Sequence, residues 1–99
     1  MYKLNNLSDS LSIITISSED NLEDLCLNRV THIATSQFNN TSRPIDTPDG
    51  IGLYVSVLFI RTPRPTILLL SNNGSVYYKI GTGAHPNITW FGWYKLLNS

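Results

Sequence analysis

The residues able to do covalent or metal chemistry are few here, and they are spaced apart. His32 reads as a mid-strand residue and His85 lies in a Gly/Pro loop; neither has a second His, Cys or carboxylate at ligand spacing, so no metal is expected. Cys26 is the single cysteine, which excludes an internal disulfide and leaves a small buried hydrophobe as its reading. Glu19, Asp20, Glu23 and Asp24 form the one acidic cluster. A glycosidase needs two carboxyl groups facing each other across a sugar, whereas acids at a helix start complement the N-terminal dipole. The second role is expected of this cluster. Asp46 and Asp49 flank Pro48 as turn residues. With no nucleophile–base pair, the expectation is a protein that is not an enzyme and uses no cofactor.

Composition narrows the partners. The chain has 99 residues, a formal net charge of +0 and only 14% charged residues. Ser, Thr and Asn make up nearly a third of it, so its surface is hydrated but electrostatically quiet. No Lys/Arg run exists to draw in nucleic acid or an anionic membrane. No stretch approaches the roughly 18 apolar residues of a membrane span, and no signal peptide is visible at the start. The five N-x-S/T triplets, at Asn6, Asn39, Asn40, Asn73 and Asn87, follow from that composition.

These residues must be positioned mainly by strands. "SLSIITIS" (10–17) is rich in β-branched residues and predicts a strand. "SEDNLEDLCLNR" predicts a helix of one or two turns, with Asp20 and Glu23 as a capping box and Leu22, Leu25 and Cys26 on one face. Residues 30–38 predict a strand, and "NNTSRPIDTPDG" (39–50) a loop. "IGLYVSVLFI" (51–60) is the clearest strand. Ile51, Leu53, Val55, Val57 and Phe59 share one face, and Gly52, Tyr54, Ser56, Leu58 and Ile60 the other. That mixed second face predicts a central strand partly covered on both sides. "RTPRP" breaks the sheet. "TILLLS" and "SVYYKI" flank "NNG", a hairpin signal for a tight two-residue turn. "GTGAHPN" (81–87) reads as a loop before a final strand, "ITWFGWYKLL". Five or six strands with at most one short helix predict a mainly β fold, a small antiparallel sheet or β-sandwich, as one domain over residues 1–99.

Both tryptophans and three of the five tyrosines fall in the last 27 residues. On a straight strand Trp90 and Trp93 would point to opposite faces, but Gly92 between them suggests a bulge that re-aims one. Trp90 and Trp93, with Tyr77 or Tyr78, would then form an aromatic cluster capping the sheet. The rings either close the core or present a stacking platform to a sugar.

Four segments carry a family resemblance: "LNRVTHIAT", "PDGIGLYVSVLFI", "ILLLSNNGSVYYKI" and "WFGWYKL". This order of loop, Gly-led strand, hairpin with a tyrosine doublet and terminal W-x-x-W resembles the pyocin-knob type domain of bacteriophage tail fibres and receptor-binding proteins. It covers roughly residues 27–97, with Lys79 where the pattern has arginine. The resemblance implies a β-rich knob in the tail of a virion, outside the cell. Its partner would be a host cell-surface receptor, carbohydrate in one version, with no nucleic acid and no membrane insertion. It also implies a homo-oligomer, a trimer in the fibre. The loop residues Arg61, Arg64, His85 and Asn87, with Trp90 as platform, are the expected ligand contacts. The other expectation is a structural or oligomerisation module, with the second face of 51–60 between subunits.

Overall fold

The computed structural model describes residues 11–84 and 86–97. The elements are β1 (Leu11–Ile13), α1 (Leu22–Asn28), β2 (Ile33–Asn39), a 3-10 turn (Asn40–Ser42), β3 (Tyr54–Ile60), β4 (Thr66–Ser71), β5 (Val76–Ala84), β6 (Asn87–Trp90) and β7 (Tyr94–Leu97). All seven strands form one open sheet in the order β1-β2-β3-β4-β5-β6, with β7 following β6 along the outer edge of β5. The chain is mainly β, as the pattern predicts. Two details differ. The described residues form seven strands in one layer, and among them no second sheet makes a sandwich. The β1–β2 pair is parallel, because the chain returns through α1, which makes the sheet mixed.

The alternation in β3 sets the two faces. Val55, Val57 and Phe59 are buried, and in register with them lie Phe38 and Ala34 of β2 and Ile67 and Leu69 of β4. On this face α1 lays down Leu22, Leu25 and Cys26, all almost fully buried. Each such aliphatic or aromatic side chain contributes roughly 1.5–3 kcal/mol on leaving water. Among the described residues no layer lies over the other face. Tyr54, Leu70, Tyr94 and Ile13 of that face are 53%, 43%, 51% and 85% exposed. So β3 is central in the sheet but covered on one side only, a correction to the expected cover on both.

The helix start also differs from the capping box. Asn21 is the N-cap, its side chain accepting from the Asp24 N–H at 3.0 Å. Asp20 sits one position too early and accepts from the Ser17 N–H at 2.7 Å. The first amides of α1, those of Leu22 and Glu23, donate to the two carboxylate oxygens of Asp46 at 2.7 and 3.1 Å. A carboxylate there satisfies orphan N–H groups and faces the positive end of the dipole. Asp46, read as a turn residue, is a cap supplied from a distant loop.

Two hairpins depart from expectation as well. Between β4 and β5 the loop is Asn72–Gly74, closed by Ser71 N–H to Ser75 O at 2.9 Å. Only Gly74 takes positive φ, +91°, so this is a three-residue turn ending in a left-handed glycine. The expected loop 81–87 is largely strand: β5 runs on to Ala84 and pairs with Asn87.

Candidate functional site

The β3–β4 connection, the β5–β6 hairpin and the bend before β2 all lie at one end of the sheet. Ile60 pairs with Ile33 and Thr66, and the Gly81 N–H reaches back to Pro65 O at 2.8 Å. Arg61 follows β3, its N–H donating to His32 O at 2.7 Å. His32 is therefore not mid-strand but exposed in the bend that feeds β2. Arg64 is exposed in a turn clasped by Thr62, whose hydroxyl donates to Arg64 O at 2.8 Å. Asn87 opens β6 and is exposed. The expected contacts Arg61, Arg64 and Asn87 are thus brought to one end; His85 lies outside the described residues. Of these, Arg61 borders a groove of about 560 Å³, lined also by Asn28, Thr31, His32 and Thr62 among others. Its histidine was not singled out as a site residue, because nothing in sequence places residue 32 next to residue 61.

The aromatic segment is resolved into two groups. Gly81 pairs with Trp90 and Tyr78 with Tyr94, so four steps on the outer strand answer three on β5. Phe91 keeps the ladder, donating to Ile80 O at 3.0 Å, and the extra residue falls at Gly92–Trp93. This bulge turns Trp93 onto the face of Lys79, the helix side. Gly92 has no positive φ and open space at its Cβ, so the bulge does not need glycine. Trp90 and Trp93, both half-buried, pack against the core cluster. Trp90 lies over Gly81, where any Cβ would stand 2.7 Å from Ile88 and 3.2 Å from the indole. Tyr77 is buried with them. Tyr78 is on the opposite face, stacked on Tyr94 with centroids 5.4 Å apart, so of the two candidate tyrosines it is Tyr77 that joins the tryptophans.

What Trp93 does is structural. Its Nε1–H donates to Asp46 O at 2.8 Å, and the Lys79 ammonium sits 5.1 Å from its ring centre. Lys79, 7% exposed, pairs with Glu23 of α1 at 2.6 Å. Glu23 in turn gives its N–H to Asp46. The chain Asp46–Glu23–Lys79–Trp93 closes on itself and ties the helix, β5, the outer edge and the long loop together. Tyr77 adds a hydroxyl bond to Asp49 O at 2.9 Å and Asn73 an amide bond to Gly50 O at 3.0 Å. The clustered aromatics thus pin the loop 43–50 over the core.

Cys26 is buried between Ile60 O and Thr66 O, both 3.9 Å from its sulfur. Burial pushes its thiol up from the ordinary 9.0 to about 11, against smaller downward pulls from the Arg61 guanidinium and a backbone contact at Thr66. The folded state therefore holds this proton more tightly than the unfolded state. That contribution to stability is complete below pH 9 and is lost as pH rises toward 11. Between those limits the wild type is expected to lose up to about 2–3 kcal/mol more than Cys26→Ala. Urea unfolding at stepped pH measures this, and parallel curves for the two proteins would refute it.

Among the described residues no group of three or more His, Cys, Asp or Glu converges in a way that could hold a metal ion. No family model, curated protein or solved structure matches the chain.

Proposed function

We propose that this chain is a non-enzymatic contact head: the host-attachment knob of a bacteriophage tail fibre or related tail particle, with cell-surface carbohydrate as its ligand. The observation that carries this reading is the gathering of Arg61, Arg64 and Asn87 at one end of the sheet, beside the groove that holds His32. The ion pair found among the described residues is Lys79–Glu23, so neither guanidinium is paired with a described carboxylate; that of Arg61 donates to the neighbouring Thr62 O at 3.3 Å. Arg and Asn side chains present forked donors suited to hydroxyl and carboxylate groups of a glycan. The motif order described above points to the tail-fibre class. Trp90 offers at most its outer surface as a platform, since the ring rests on the core. The reading is tested by measuring binding of the protein, displayed multivalently on beads, to a panel of bacterial cells and their extracted surface glycans. Binding that Arg61→Ala/Arg64→Ala weakens about tenfold or more, with an unchanged circular dichroism spectrum, is the expected result. Absence of binding across the panel, or equal binding by the variant, would remove it.

A second reading, a structural or oligomerisation module of a virion or tail protein without direct receptor contact, is favoured by the uncovered apolar face of the sheet.

A further inference from the structure

We infer that the uncovered face of the sheet is buried against a second copy of this chain, sheet upon sheet. The inference shares its observation with the second reading but not its conclusion, since a self-associated head can still attach to a host. Three features of the face identify the occupant.

The first is what the face is made of. Ile13, Leu58, Leu68, Leu70, Tyr78 and Tyr94 project from it, with Thr35, Gln37 and Ser56 between them. An antiparallel sheet that meets water on one side carries polar residues there; this one carries leucine, isoleucine and tyrosine. Ile13, Leu58 and Leu70 rim a groove of about 500 Å³ floored by Thr35, Gln37 and Ser56.

The second is charge. The strands contain two charged residues, Lys79 and Lys95, and both point the other way: Lys79 to Glu23, Lys95 over the Tyr77 ring at 5.6 Å. In a two-fold interface the patch meets its own copy, so a patch carrying charge of one sign would face charge of the same sign. A face without charge is free of that repulsion. A partner of different composition would more commonly leave a charged rim to steer it.

The third is size and shape. Four strands of six to nine residues, β2 to β5, lie side by side between shorter neighbours; at about 20 Å by 19 Å these four alone present roughly 380 Å² in projection before side-chain relief is counted. That is within the size of the largest apolar patch on a typical monomer and about half of the roughly 800 Å² each partner gives to a standard interface, before the flanking strands are added. The surface that best matches a twisted pleated sheet is another such sheet, packed about 10 Å away. Tyr78 and Tyr94, stacked in advance, supply a rigid aromatic anchor of the kind that dominates interface energies.

The test is sedimentation equilibrium of the whole chain from about 0.1 to about 100 µM, a range that brackets micromolar affinity. Wild type is compared with Leu70→Lys and Thr35→Lys, which replace exposed residues on the face, and with Ser18→Lys, which adds the same charge at an exposed position in the turn before α1. Circular dichroism and thermal melting check that each variant folds. The wild type is expected to form a closed oligomer that Ser18→Lys preserves, while either face variant weakens it about a hundredfold or more, through burial of unpaired ammonium groups. A wild type that stays monomeric throughout would overturn the inference, and so would an oligomer indifferent to both face variants. Cell binding of the same variants, displayed on beads, is read separately, so failure of self-association and failure of attachment leave different records.

Discussion

Phe59→Ala is expected to cost about 3–5 kcal/mol, enough to remove much of the stability of a domain this size. Phe59 is fully buried near the end of β3, between Ala34 on β2 and Ile67 on β4. Neither neighbour can close the gap: the methyl of Ala34 is too short, and Ile67 is held by its own strand. The truncated ring therefore leaves a cavity as well as losing transfer energy. Leu70→Ala, a comparable deletion on the uncovered face, is expected to cost less than about 1 kcal/mol in dilute monomer. Urea denaturation at low protein concentration measures both. Equal costs would mean that the two faces are not the inside and outside described here.

The second large effect is an asymmetry within one ion pair. Glu23→Ala and Lys79→Met both delete the Lys79–Glu23 contact, yet they are expected to differ. The lysine side chain is 9% exposed and that of the glutamate 29%. Removing the glutamate strands an ammonium under the helix with only the Trp93 ring for company, at a cost of about 2–4 kcal/mol. Removing the lysine leaves a carboxylate at a helix N-terminus, where water reaches it and the dipole favours it, so the cost is expected to be about 1 kcal/mol or less. Chemical denaturation of the two variants and their double mutant gives the comparison. A larger cost for Lys79→Met than for Glu23→Ala would show that the desolvation account is wrong.

The sequence made visible what depends on near neighbours. Val55, Val57 and Phe59 alternate, so their common face was legible, as was the short helix from Leu22, Leu25 and Cys26. "NNG" marked its hairpin because glycine is required where φ is positive, although the turn length was not. The joins between distant segments were hidden. Asp46 caps a helix 24 residues before it, and Lys79 meets a glutamate 56 residues away. No local pattern distinguishes such a residue from an ordinary turn acid or surface lysine. Residues 81–84 were misread because glycines usually signal loops, whereas Gly81 is there so that Trp90 can lie across β5. The grouping of Arg61, Arg64 and Asn87 follows from strand register, which composition does not reveal.

The interrupted border of the sheet has one more effect. β6 and β7, which share the outer edge of β5, are four residues each with a bulge between them. Short, kinked margins are poor templates for an incoming strand. Recruitment by lateral β-addition, the route to open-ended fibrils, is therefore discouraged along this edge. Growth of that kind is blocked by geometry rather than by charge, which suits a surface so sparing of ionised groups.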